Sequence, residues 1–166
     1  MRKPVVLVTG AGGEMGHGLI ETLSEQGDND IVALDINPLP DSLQRRCQAT
    51  IVGDILDKGL LSRFASEYEV DTVFHLAALL STRAEYTPWA AHKVNVGGTI
   101  NLMQLAADQG SQHGRPVRFL FPSSIAVYGM PDAATKAEQH VREFDWNTPT
   151  TMYGCNKLYC EHVGRY

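Results

Sequence analysis

The apolar run Val5-Val6-Leu7-Val8 leads through Thr9 straight into Gly10-Ala11-Gly12-Gly13-Glu14-Met15-Gly16, and no other stretch restricts the possible folds so much. Gly10, Gly13 and Gly16 recur at i, i+3 and i+6, between a buried strand and the mouth of a helix. At such a corner a Cβ blocks the turn, the approach of a phosphate or the helix-strand contact, so each position calls for glycine. Unpaired N–H groups and the positive end of the helix dipole then favour a pyrophosphate. On this reading Gly10, Gly13, Glu14, Met15 and Gly16 hold a dinucleotide. The simpler alternative is a glycine-rich turn that merely closes a corner, and the rest of the chain decides between them.

Apolar runs rich in β-branched residues return at Ile31–Leu34, Ala49–Val52, Thr72–Leu76 and Val117–Phe121, with segments of helical length between them. Strands that are apolar throughout, not alternating, are buried on both faces, so the sheet is parallel and covered by helices on each side. Right-handed crossovers then give an α/β, doubly wound parallel sheet of Rossmann type with strand order 3-2-1-4-5. Helices are expected near 14–26, 57–67, 88–109 and from about 150 onward. Gly27 and Gly110 stand as their stops, and Pro88 suits a first turn. The loops 79–87 and 126–149 fall at carboxyl ends of strands, where ligands collect in such folds.

Asp35 ends the second apolar run, about 20 residues beyond the last glycine, where a carboxylate accepts hydrogen bonds from the adenosine ribose hydroxyls. Its charge repels a 2′-phosphate, and Ile36 and Asn37 follow it with no arginine to clamp one, which favours NAD over NADP. Asp54 and Ile55, after the third run, suit the edge and face of adenine. A helix N-cap and core packing explain them equally well. Leu76, Ala77 and Ala78 complete the expected cofactor contacts, small residues there letting the backbone come close. Residues 1–166 are thus expected to form an NAD-binding Rossmann domain. It is expected to be incomplete, because Tyr166 falls within a helical segment and a sheet of this class continues with a sixth strand.

Ser123-Ser124 follows the fifth run, and Tyr153 and Lys157 stand four apart on the last helix, on one face. A tyrosine that takes a proton near neutral pH needs its pKa, about 10 when unperturbed, lowered by a fixed cation, and Lys157 is placed to supply one. A serine hydroxyl holds the substrate oxygen while hydride leaves for nicotinamide. A tyrosine and a lysine four apart are by themselves a common surface pair. Their order after the glycines and the serines is what makes them a candidate site.

With a net charge of -5 and only the basic pairs Arg2-Lys3 and Arg45-Arg46, the chain offers no stripe for nucleic acid or an anionic membrane. No apolar stretch approaches a membrane span, and Val5–Val8 is too short for a signal peptide. Cys47, Cys155 and Cys160 have no metal-type spacing, and an odd count argues against a disulfide framework, so no metal and a reducing cytoplasm are expected. The histidines likewise lack metal-ligand spacing; His17 is expected to be solvated or satisfied locally, and His75 to be structural.

The succession Thr-Gly-x-x-Gly-x-x-Gly, His75-Leu76-Ala77-Ala78, Ser123-Ser124-Ile125-Ala126-Val127-Tyr128-Gly129 and Tyr153-Gly154-x-x-Lys157 resembles the extended short-chain dehydrogenase/reductase, or NAD-dependent epimerase/dehydratase, family over the whole chain. The resemblance implies that Tyr153 is the catalytic base, that Lys157 binds the nicotinamide ribose, that Ser124 orients the substrate and that Ser123 contacts it. Within the family, His75–Ser81, Phe121–Gly129 and Pro149–Gly154 are most similar to the L-threonine 3-dehydrogenase subgroup. This implies oxidation of a threonine 3-hydroxyl with Ser81 as a substrate contact. Val127-Tyr128-Gly129 and the long 126–149 loop are also similar to nucleotide-sugar epimerases and dehydratases, the second reading, and a non-catalytic NAD-binding or redox-sensing protein is the third. The family further implies a homodimer through helices like 88–109 and the last one, and a C-terminal substrate-binding part.

Overall fold

The computed structural model describes residues 4–28, 30–130, 132 and 140–166. They divide into two compact units, Met1–Ala78 with Gly98–Pro122, and Leu79–Gly97 with Ser123–Tyr166.

The first unit holds a five-stranded sheet of β1 (Val5–Thr9), β2 (Asp30–Asp35), β3 (Ala49–Val52), β4 (Val70–His75) and β5 (Arg118–Leu120). Its order is β3-β2-β1-β4-β5 and every pair is parallel, as the apolar runs require. β1 is buried along its whole length. Because side chains alternate, Val6 and Val8 join Ile31 and Ala33 in a core with Ile20 and Leu23 of α1 (Glu14–Gln26) and Leu43 of α2 (Asp41–Gln44). The buried Val5, Leu7, Val32, Leu34 and Val73 turn to the other face, that of α6 (Thr99–His113). There Gln109 joins α6 to β4 and to α3 (Lys58–Glu67): its Oε1 accepts from Val70 N at 2.9 Å and its Nε2 donates to the Ala65 carbonyl at 3.0 Å.

One expected helix boundary moves, and one of the two readings of Asp54 fails, each for a local reason. α6 passes through Gly110 and stops at Gly114, which takes the left-handed conformation (φ 68°). Gly110 instead makes room: a Cβ there meets the Arg115 carbonyl of the returning chain at 3.2 Å. Asp57, not Asp54, caps α3 by accepting from Leu60 N at 3.0 Å, while Asp54 accepts from Leu56 N in a tight turn. Gly27 closes α1 in the left-handed conformation, as expected.

The second unit contains α4 (Ser81–Tyr86), inside the stretch expected as loop, α5 (Pro88–His92) and α7 (Met152–Arg165). The single helix expected over 88–109 is interrupted by a π-helical turn, Lys93–Gly98. In that turn Asn95 is buried and pairs with both backbone groups of Leu79, accepting from N at 2.7 Å and donating to O at 2.9 Å. A 3-10 turn, Ile125–Val127, opens the 126–149 segment, of which residues 131 and 133–139 lie outside the described residues. Among the described residues no helix is long and apolar enough to cross a membrane, and no side-chain group is placed to hold a metal ion.

Candidate active site

The glycine turn is built by steric exclusion. Gly10 has φ 67°, and a Cβ on it lies 2.5 Å from the Ala77 nitrogen and 2.7 Å from the Leu76 carbonyl carbon. The expected cofactor stretch Leu76-Ala77-Ala78 therefore lies directly against the first glycine. Gly16, buried in the first turn of α1, places its own missing Cβ 2.5 Å from the Ala11 carbonyl. Gly13 is the N-cap and brings no side chain to the helix mouth, so the first-turn N–H groups of Glu14, Met15 and Gly16 have no side-chain cap. Such a cradle of uncapped N–H donors, emptied of Cβ atoms, fits a dinucleotide pyrophosphate.

Asp35 belongs to the same construction. Its carboxylate accepts from Gly12 N and from Asn37 N, each at 2.9 Å, which fixes it beside the turn at the end of β2. Asp54 is exposed, whereas the Ile55 side chain is buried against Gly98 of the same unit, where a Cβ would come within 2.3 Å of it. His75 is structural: its ring nitrogens bond the hydroxyls of Thr9 and Thr99 at 2.7 and 2.9 Å, joining β1, β4 and α6. His17 departs from expectation, since its Nε2 is buried with no protein hydrogen-bond partner.

In the second unit Ser124, Tyr153 and Lys157 come together. Gly154 is the reason: a Cβ there meets the Ala126 carbonyl at 2.1 Å, so only glycine lets the 3-10 turn lie this close to α7. Two further residues hold the start of α7. Thr151 caps it by accepting from Gly154 N at 3.0 Å, and the Glu85 carboxylate of α4 accepts from Met152 N at 2.7 Å. The Ser124 hydroxyl is close enough to act on the Tyr153 phenol, favouring its ionised form, and Lys157 Nζ lies 5.6 Å from the centre of the tyrosine ring.

The electrostatics correct one expectation. Lys157 does not bring the phenol down in this structure. Burial pushes Tyr153 above its ordinary value of 10.0, opposed by the Ser124 hydrogen bond. Burial also pushes the Lys157 ammonium down to about 8 from 10.5, opposed by Cys160. Only 5% of Lys157 is exposed. Desolvation disfavours the charged form of both groups, and it outweighs a cation placed over the ring face.

Of the expected substrate contacts, Ser81 is exposed at the start of α4, and the Ser123 hydroxyl is engaged by the Glu161 carboxylate of α7. Glu85, Asn95, Thr151 and Glu161 were not picked out as site residues by sequence reasoning. Thr151 could have been, as a threonine just before a helix. Glu161 continues the four-residue spacing of Tyr153 and Lys157, but its partner Ser123, like those of Glu85 and Asn95, is not adjacent in the chain.

A Rossmann sheet with an empty-cornered glycine turn in one unit, and Ser124 brought to Tyr153 and Lys157 of α7 in the other, fit a dinucleotide-dependent enzyme class. Residues 6–166 match the model of the NAD dependent epimerase/dehydratase family, and the chain belongs to that family. An uncharacterized epimerase/dehydratase of Staphylococcus epidermidis is 32% identical over 163 residues, 97% of this chain and 48% of the relative. Among solved structures, an L-threonine 3-dehydrogenase from a metagenome, described as monomeric, is 32% identical with a TM-score of 0.77, covering 97% of this chain and 48% of that one. UDP-glucose 4-epimerase from Brucella ovis, solved in complex with NAD, is 29% identical with a TM-score of 0.80, covering 97% and 46%. The chain spans about half the length of the curated relatives it matches. NAD is the cofactor of the family.

Proposed function

We propose that the protein oxidises the 3-hydroxyl of L-threonine, or of a similar small hydroxy compound, with NAD. The observation that carries this reading is the Ser124 hydroxyl acting on the Tyr153 phenol, with the buried Lys157 beside the same ring. Ser124 positions the substrate hydroxyl, and Tyr153, once ionised, accepts its proton. Lys157 holds the nicotinamide ribose. Gly10, Gly13, Glu14, Met15 and Gly16 hold the pyrophosphate, Asp35 the adenosine ribose, and Asp54, Ile55, Leu76, Ala77 and Ala78 the remaining nucleotide contacts. NAD, when bound, supplies the hydride acceptor.

L-threonine is favoured over other alcohols by the likeness to the 32% identical threonine dehydrogenase and by the His75–Ser81 stretch. In the full-length protein, L-threonine with NAD should produce NADH, and no rate above background removes this substrate. The second reading, a nucleotide-sugar epimerase or dehydratase, is favoured by Val127-Tyr128-Gly129 and by the likeness to the Brucella ovis enzyme. Strong thermal protection by UDP-glucose, with none by L-threonine, would reverse the order.

The protein is also proposed to be a cytoplasmic homodimer. Tyr86, Trp89 and Tyr159 of the second unit are 84%, 83% and 51% exposed, apolar surface that a second copy would cover. The three free cysteines suit a reducing compartment. Light scattering of the full-length protein tests the dimer, and a monomer at micromolar concentration rejects it.

A further inference from the structure

The adjacent serines after β5 are tied to α7 at two points. Ser124 meets the Tyr153 phenol, and the Ser123 hydroxyl donates to Oε1 of Glu161. Tyr153, Lys157 and Glu161 follow at intervals of four along α7 and so form one stripe. Extended backbone at Ser124 (φ −156°, ψ 151°) sends neighbouring side chains in opposite directions, which lets one turn reach two places on the helix. Glu161 is itself held, with Oε2 3.7 Å from Arg165. Arg165 in turn bonds Glu143 at 2.7 Å and lies over the Phe144 ring.

Ser124 has a competing use for its oxygen, since it also accepts from Ala126 N at 3.2 Å to cap the 3-10 turn. A serine with only that local bond is free to turn toward its own backbone. A charged acceptor on the neighbouring residue removes this freedom with a stronger hydrogen bond. We infer that Glu161 is a positioning residue: by holding the Ser123 hydroxyl it fixes the Ser123-Ser124 turn along α7 and sets where Ser124 meets the Tyr153 phenol. Ser123 then serves as the link to Glu161, in place of a direct substrate contact. The inference rests on the proposed reading of Ser124 and Tyr153 as the reactive pair.

The test compares Glu161→Ala, Glu161→Gln, Ser123→Ala and the Glu161→Ala/Ser123→Ala double variant with the wild type, all in the full-length protein. The first readout, which needs no substrate, is the ionisation of Tyr153 by ultraviolet difference titration against Tyr153→Phe. The second is kcat and KM with NAD and L-threonine. Glu161→Ala and Ser123→Ala should each raise the phenol pKa and lower kcat about tenfold, leaving KM for NAD unchanged. The double variant should be no worse than either single one, and Glu161→Gln, which keeps an acceptor, should recover most of the rate. A Tyr153 titration at the wild-type position in both single variants, or additive losses in the double variant, overturns the inference. Ser123→Ala deletes a single oxygen and carries the test alone where Glu161→Ala does not fold. Absence of threonine oxidation by the wild type defeats the substrate reading only, because the phenol titration still decides the role of Glu161.

Discussion

The glycine turn at Gly10–Gly16 works through atoms that are missing, and the Ser124–Tyr153–Lys157 group works through atoms that have lost their water. At the turn, a Cβ on Gly10 or Gly16 would strike backbone at 2.5 Å, and the bare N-cap leaves first-turn N–H groups open. On α7, burial pushes Tyr153 up and Lys157 down to about 8, so the charged form of each is weakened relative to water. A site made of backbone is insensitive to pH but tolerates no added carbon. A site made of buried ionisable side chains adds a proton inventory, which sets its rate and draws on the stability of the fold.

The largest effect should come from the side-chain site. Tyr153→Phe should lower kcat at least about 100-fold while NAD still binds, the usual scale for loss of an acid-base group. Steady-state rates and a cofactor titration on the full-length protein check this, and unchanged turnover would tell against catalytic use of that phenol.

Gly10→Ala comes next, and here the loss should be in stability and NAD affinity together. The left-handed φ alone costs about 1–2 kcal/mol, and the contact with Ala77 adds to it, for about 3 kcal/mol or more in urea denaturation. Gly27→Ala is the matching control. Gly27 has a similar φ of 77° but nothing within 4 Å of its missing Cβ, so only the same conformational cost of about 1–2 kcal/mol should appear. Equal losses at the two positions would mean that the close approach of Ala77 is unimportant.

Asp35→Ala should weaken NAD about tenfold by removing the acceptor for the ribose hydroxyls, and should narrow the preference over NADP. Direct titration with both cofactors decides it.

Lys157→Met should give a difference in stability with a characteristic pH dependence. Between pH 8 and 10.5 the unfolded lysine holds a proton that the folded one has released. Wild-type stability relative to Lys157→Met therefore rises with pH across that window, and the cost of the buried ammonium is fully present below it. A difference that is flat with pH would show that the ammonium is not desolvated.

Much of this was legible beforehand, for reasons that can be localised. Strands buried on both faces must be apolar throughout, so β1 to β4 and their parallel order could be read from runs such as Val5–Val8 and Ile31–Leu34. Glycines that answer a steric demand leave a spacing, and so Gly10, Gly13 and Gly16 stood out. The stop at Gly114 in place of Gly110, and the cap at Asp57 in place of Asp54, did not: neighbouring residues of the same type compete, and the path of the chain chooses. Nor did the clasp of Asn95 on Leu79, because a π-helical turn has no sequence signature comparable to a heptad or an alternation.

The sequence by itself determined the sheet, the cofactor-binding turn and the identity of the serine, tyrosine and lysine, because periodicity and spacing are local properties of a chain. Only the tertiary structure decided which carboxylates hold those residues. Glu85 reaches α7 across 67 positions and Glu161 reaches Ser123 across 38, distances at which no pattern survives. It also decided the sense of both pKa shifts. Desolvation depends on everything packed around a group, and a motif of five residues contains none of that.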